Sequence, residues 1–213
     1  MNNLLIISGL FTLSIGLSEI AYRLDYPNYI SRSIGHIGGS LVSLLLPILL
    51  GLDTVVFVGL GFSILIFIGK ELDLLKGLFK HNTESVGPIL FPVGLTIAAV
   101  TFWGYLPIVF QTACLVLGFS DALAGMIGKT YGKIKYQLSA EKTVEGSLVF
   151  FVTTMIIFMS LILIYRIGFT PTRFGKLIIG SVILTIAEAS FGNGWDNLIL
   201  PFVSGFVAVW VYA

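Results

Sequence analysis

Long apolar runs, each broken by a short cluster of polar residues, follow one another along the whole chain. Eight can be drawn, at about 3–22, 34–51, 53–69, 87–103, 105–127, 146–165, 175–191 and 196–212. A helix that crosses a bilayer takes about 20 mostly apolar residues, and the first six runs meet or approach that length. The last two are shorter and meet at a polar junction. The pattern therefore predicts seven or eight crossing helices, with a re-entrant piece as the alternative at the C-terminal end. No stretch alternates apolar and polar residues with period two, which argues against a β-barrel. The first run has no basic residue before it and no small-residue cleavage pattern after it, so a retained span is expected in place of a signal peptide. No internal repeat relates one part of the chain to another. The expectation is one integral membrane domain over residues 1–213, an all-α polytopic bundle.

Composition decides what surrounds that bundle. Hydrophobic types make up 56% of the 213 residues and charged types 11%, where soluble domains carry roughly 25% charge. Mean hydropathy is +1.00. A soluble surface needs more charge than this to stay solvated, so a soluble enzyme, a disordered chain and a disulfide-stapled module are excluded. A net charge of +1 supplies no field for phosphate neutralisation, which argues against nucleic acid as a partner. The 24 glycines suit membrane helices. Cys114 cannot form an internal disulfide because it has no second cysteine to pair with, and in an apolar run it reads as a packing residue.

The basic residues orient the bundle. With eight spans, nine of the twelve fall in loops on one side: Arg23, Arg32, Lys70, Lys76, Lys80, Lys129, Lys133, Lys135 and Lys142. The excess of positive charge marks that side as cytoplasmic and puts the N-terminus outside. Arg166, Arg173 and Lys176 fall on the opposite side, where snorkelling at helix ends is the available account.

The acidic residues collect on the same side as the basic excess. Glu84, Asp121, Glu145, Glu188 and Asp196 each lie at or near the end of an apolar run. Ionisable groups at membrane depth are costly and mark a functional site by default. The segment from Gly118 to Gly132 closes an apolar run with Asp121 and continues with glycines. On a helix Asp121, Gly125, Gly128 and Gly132 share one face. A backbone-exposing face beside a carboxylate suits a phosphate with Mg²⁺; close helix packing through small residues is the competing account. Gly128-Lys129-Thr130 is not a P-loop ending, because Leu123 stands where its first glycine belongs.

Lys142-Thr143-Val144-Glu145-Gly146-Ser147 opens the sixth run. Lys142 can pair with phosphates, the hydroxyls and Gly146 can approach an anion, and a helix N-terminus offers N–H donors. Simple capping with a glutamate in the first turn accounts for the same residues. Glu188 lies inside an apolar run, and Asn193-Gly194 reads as a turn before Asp196-Asn197. Arg32-Ser-Ile-Gly-His36 opens the second run and Gly87-Pro88-Ile-Leu-Phe91-Pro92 the fourth, after Glu84.

Taken in order, these motifs resemble the CTP-dependent polyprenol kinases, the family of dolichol kinase, phytol kinase and the fungal-type diacylglycerol kinase. The resemblance runs from Arg32 to Pro201. It rests on Arg-x-x-x-His at 32–36, Gly-x-x-x-Phe-Pro at 87–92, Asp-Ala-x-Ala-x-x-x-Gly-x-x-x-Gly at 121–132, Lys-Thr-x-Glu-Gly-Ser at 142–147, and Glu188 followed by Asp196-Asn197-x-x-x-Pro201. Two positions depart from the family pattern: Ser120 precedes Asp121 where glycine is frequent, and Ser33 follows Arg32 where lysine is frequent. Phosphatidate cytidylyltransferase shares the Ser-x-x-Lys-Thr-x-Glu-Gly block, here 139–146, but its Pro-Gly-His-Gly-Gly ending is not found in this sequence; it is the alternative reading. A small transporter is a second alternative, against which stand the grouping of the acids at one face and the lack of a repeat.

The resemblance implies transfer of the γ-phosphate of CTP to the hydroxyl of a membrane isoprenoid alcohol or of diacylglycerol, with Mg²⁺ as cofactor and the site at the cytoplasmic face of the membrane. It implies Asp121, Glu188 and Asp196 as metal ligands and Lys142 and Arg32 as phosphate contacts, with Lys129 outside them. Gly125, Gly128, Gly132, Thr143, Glu145, Gly146, Ser147 and Asn197 would surround the nucleotide. Asp121 and His36 compete as the base.

Overall fold

The computed structural model describes residues 2–79, 85–105 and 107–213. Its helices follow the apolar runs closely. In chain order they are α1 (Asn2–Arg23), α2 (Asn28–Ser43), α3 (Leu46–Leu49), α4 (Leu52–Glu71), α5 (Lys76–Phe79), α6 (Gly87–Phe102), α7 (Pro107–Leu115), α8 (Ala122–Tyr131), α9 (Val144–Ile164), α10 (Pro171–Ser190) and α11 (Asp196–Tyr212). Prolines set several of the starts. Pro27 is the N-cap of α2, and Pro88 and Pro171 stand in the first turns of α6 and α10, where a missing N–H costs no hydrogen bond.

Among the described residues, five helices are long and apolar enough to cross a membrane: Asn2–Arg23, Asn28–Leu49, Leu52–Glu71, Pro107–Tyr131 and Val144–Ile164. Gly87–Phe102 and Asp196–Tyr212 are apolar but shorter. Helix α10, drawn from the sequence as a span over 175–191, starts earlier and is less apolar, because Arg173, Lys176 and Glu188 all lie on it. Outward-facing residues such as Phe57 and Leu163 are 72% and 73% exposed. That much bare hydrocarbon is stable only with lipid as the solvent, and the protein is an integral, multi-pass membrane protein.

Two features break the all-α expectation. A hairpin of β1 (Lys135–Gln137) and β2 (Glu141–Thr143) pairs Tyr136 opposite Lys142 between α8 and α9. Its three-residue polar strands carry no hydrophobic period, so the pattern reading passes over them. A π-helical turn, Val116–Asp121, joins α7 to α8. Gly118 in that turn packs so closely on α2 that a Cβ would lie 2.0 Å from Ser40 Oγ.

The segment 107–131 is the centre of the bundle: 67% of its most apolar stretch is buried, against 22–39% in the other four long helices. Phe110, Ala113, Cys114 and Leu117 there meet Phe150 and Phe158 of α9. Cys114 is fully buried and free, as a packing residue should be. Beside this core α6 crosses α11 at short range. Pro201 has no N–H, so the Asn197 carbonyl one turn earlier lacks its helical donor. Gly94 closes on that carbonyl, and a Cβ there would stand 2.1 Å from it. The spacing Asn197-x-x-x-Pro201 thus makes a docking point for α6.

Candidate active site

The up-and-down course of the helices brings one set of ends together. The N-terminal half of α2, one face of α8 with Asp121 before it, the N-terminus of α9, the C-terminal end of α10, the start of α11 and the hairpin enclose a cavity of about 450 Å³. Of the residues expected at the site, all but Glu145 and Asn197 line it: Arg32, His36 and Asp121; Gly125, Gly128, Lys129 and Gly132; Lys142, Thr143, Gly146 and Ser147; and Glu188 and Asp196. Glu84 lies outside the described residues.

Lys142 is held at the middle of β2, opposite Tyr136, and points at α10. Its ammonium forms an ion pair with Glu188 and stands 4.0 Å from Asp196. Burial disfavours its charge, but the carboxylates of Glu188, Asp121 and Asp196 outweigh that and hold its pKa above the ordinary lysine value. Asp121 is the last residue of the π-helical turn, a distortion that recurs at functional sites. Its charged neighbours are Asp196, Lys142, Glu188 and Arg32, yet among the described residues it makes no ion pair. Lys129 lies 5.8 Å from the ring of Tyr29, which also lines the cavity.

The three glycines of α8 divide into two roles. A Cβ on Gly128 would stand 2.8 Å from Thr143 Oγ1, and one on Gly132 would strike the Gly128 carbonyl at 2.2 Å. Those two serve close packing. Gly125 has nothing within 4 Å of an added Cβ, so its open face belongs to the cavity.

The start of α9 is largely occupied by its own capping. Thr143 Oγ1 accepts from Gly146 N at 3.1 Å, and Val144 N donates to the Ile134 carbonyl at 2.9 Å. Glu145 turns away from the cavity and accepts from the amides of Lys133 and Ile134 at 3.0 and 3.3 Å. It fastens the strand entry to the helix. Asn197 is fully buried behind the site, with neither side-chain amide atom partnered. It neighbours Arg32 across Gly87, where a Cβ would fall 2.3 Å from Arg32 Nη2 and 2.6 Å from Asn197 Nδ2. Gly194, at φ +93°, completes this junction by closing on Gly87, as the Asn193-Gly194 turn requires.

Tyr29, Ser33, Lys135 and Glu141 also line the cavity without having been singled out. Lys135 and Glu141 pair across the hairpin at 2.8 Å, and only knowledge of that hairpin brings them together.

Among the described residues, no group of three or more His, Cys, Asp or Glu side chains is arranged to hold a metal ion. Glu188 and Asp196 have Lys142 between them instead. Mg²⁺ rarely uses an all-protein cage and is commonly held by one or two carboxylates plus substrate phosphates. Asp121, unpaired and facing the cavity, fits that kind of site.

Two curated relatives match the chain. A phytol kinase of Synechocystis sp. is 28% identical over 201 residues, which cover 90% of this chain and 83% of the relative. A dolichol kinase of Saccharomyces cerevisiae is 27% identical over 147 residues, 63% of this chain and 25% of that longer protein. No family model matches, and no solved structure does. Over the matched lengths the chain is similar to two kinases of the polyprenol type, a phytol kinase and a dolichol kinase.

Proposed function

We propose that this protein is a lipid-alcohol kinase that moves the γ-phosphate of CTP to the hydroxyl of an isoprenoid alcohol of the phytol or polyprenol type, in a bundle of seven or eight spans with the cavity at the cytoplasmic face. The observation that carries this reading is the gathering of Arg32, Lys129 and Lys142 with Asp121, Glu188 and Asp196 in one cavity at the end of an otherwise apolar bundle. Phosphoryl transfer asks little covalent chemistry of a protein; it asks for positioning and charge neutralisation. Lys142 and Arg32 bind the nucleotide phosphates, with Lys129 outside them. Asp121 would hold Mg²⁺, which would supply neutralisation of the charge on the transferring group. Glu188 and Asp196 keep Lys142 charged and aimed. The alcohol oxygen attacks the γ-phosphorus, the bond to the β-phosphate oxygen breaks, and CDP leaves. His36 takes the hydroxyl proton: it is buried, its Nε2 has no partner, and it stands where the charged cavity meets an apolar one.

The test uses membranes containing the protein, γ-labelled CTP or ATP, and a choice of phytol, geranylgeraniol, dolichol or diacylglycerol. Label should pass from CTP to an isoprenoid alcohol, stop on chelation of Mg²⁺ and return when Mg²⁺ is restored. Asp121→Asn and Lys142→Ala should lose transfer while still inserting, and His36→Ala should lose about 10²–10⁴-fold, the usual worth of a positioned base. Transfer of CMP to phosphatidate with release of pyrophosphate would replace this reading by a cytidylyltransferase.

A further inference from the structure

Next to the charged cavity lies a second one of different character. Helix α1 packs on α2 and α4 packs on α6, and the two pairs face each other across it. Phe11 and Ile15 of α1, Val58 and Phe62 of α4, and Phe91 and Leu95 of α6 form most of its wall. The Phe11 and Phe62 rings, 5.0 Å apart, bridge the two pairs. His36 lines both this pocket and the charged cavity, with its ring 4.8 Å from that of Phe91. A group whose polar end reaches His36 from the charged side therefore has carbon waiting on the other.

The pocket measures about 60 Å³. One water needs roughly 10–15 Å³ by that measure, so the space takes about four to six heavy atoms. An isoprene unit has five carbons. A long polyprenyl chain cannot fit, and its remainder has to leave for the bilayer past α1 and α4, whose neighbouring outward residues Leu13, Leu17, Ile64 and Leu65 are exposed and apolar.

We infer that this pocket seats the hydroxyl-bearing isoprene unit of the lipid alcohol and that the rest of the chain lies in lipid. The inference rests on the kinase reading above and deepens it: the protein recognises the branched first unit of its substrate and is indifferent to total length. Val58→Phe fills the pocket without touching the charged cavity. It should lower kcat/KM for the alcohol by at least about 10-fold, the scale on which a pocket senses single methylenes, while nucleotide binding in the same variant stays at the wild-type value and shows that the fold is intact. Alcohols of increasing length with one common first unit should give kcat/KM values within about threefold, and a straight-chain alcohol lacking the methyl branch should fall below them.

A direct measurement keeps the two readings apart. An isoprenoid alcohol with a photoreactive diazirine on its first unit should label Val58, Phe62 or Leu95 on irradiation, located by mass spectrometry, whereas a diazirine at the far end should not. Labelling of the pocket with no phosphate transfer to any alcohol would retain the pocket and remove the kinase. Transfer with the first unit labelling elsewhere, or with Val58→Phe fully active on the alcohol, would overturn the pocket and leave the kinase standing. No labelling there and no transfer would overturn both.

Discussion

The Lys142 ammonium is the residue on which most of the site turns. It is a cation near the floor of a membrane bundle, and it is stable there only because Glu188 pairs with it and Asp196 stands close by. Its side chain is 19% exposed and that of Glu188 is 5% exposed, so this is a buried pair and not a surface ornament. Breaking such a pair from one side leaves an uncompensated charge and costs about 3–5 kcal/mol, whereas replacing both members by apolar residues is often neutral. Glu188→Ala should therefore lower the unfolding midpoint in detergent markedly, and Lys142→Met combined with Glu188→Leu should recover much of it while remaining inactive. A double variant as unstable as the single one would show that the pair is not what stabilises this end. The sign with pH follows from the raised pKa. The stabilisation from Lys142 is fully present below the free-lysine value of 10.5 and is lost as pH rises from there through the higher folded value, so the midpoint should hold from neutral pH to 10.5 and fall above it. Individual residues were legible in the sequence where chemistry alone singled them out: Asp121, Lys142 and Glu188 are charges at or inside apolar runs. Glu145 was not, because a glutamate in a first helical turn looks the same whether it meets a ligand or fastens the amides of Lys133 and Ile134.

At the scale of elements, helix existence was readable and helix irregularity was not. Apolar length announces a span, and the described helices fall within a few residues of most of the runs. Nothing in Val116-Leu-Gly-Phe-Ser-Asp121 announces a π-helical turn, because a π-helical turn is imposed by the packing of its neighbours, here Gly118 against Ser40. The same limit applies to the glycines of α8. Spacing puts Gly125, Gly128 and Gly132 on one face, but only the position of the hairpin tells which of them is covered. This separates them experimentally. Gly128→Ala and Gly132→Ala press a methyl group into Thr143 or into backbone, and overpacking of that kind costs about 1–3 kcal/mol; both should unfold at lower temperature. Gly125→Ala meets nothing within 4 Å and should keep its midpoint, while its methyl group intrudes on the space given to the phosphates and weakens nucleotide binding. Equal loss of stability in all three would mean that α8 packs more tightly than the glycine contacts indicate.

For the molecule as a whole, the question is which end faces which side of the membrane. The contacts agree with the alternation read from the loops. At the end with the cavity, Glu19 accepts from Gly77 N at 2.9 Å and Ser139 donates to the Ser190 carbonyl at 2.7 Å, so α1, α5, the hairpin and α10 meet there. At the other end Asn3 donates to the Leu49 carbonyl and Tyr165 to Gln111. The basic residues that broke the charge pattern have a local task at that far end. Arg173 donates to the carbonyls of Val211 and Gly168, and Lys176 to that of Trp210. Cations at the C-terminus of α11 satisfy carbonyls that the helix leaves open and oppose its dipole, so they need not report on orientation, and the basic excess at the cavity end is left as the orienting signal. Single cysteines can decide the matter, because the native Cys114 is fully buried and should stay silent to a membrane-impermeant maleimide. In intact cells Lys133→Cys, at the cavity end, should react only after the membrane is permeabilised, and Gly168→Cys, at the far end, should react before. The reverse order would place the charged cavity outside, where cytoplasmic nucleotide cannot reach it, and would remove the orientation on which the proposed reaction depends.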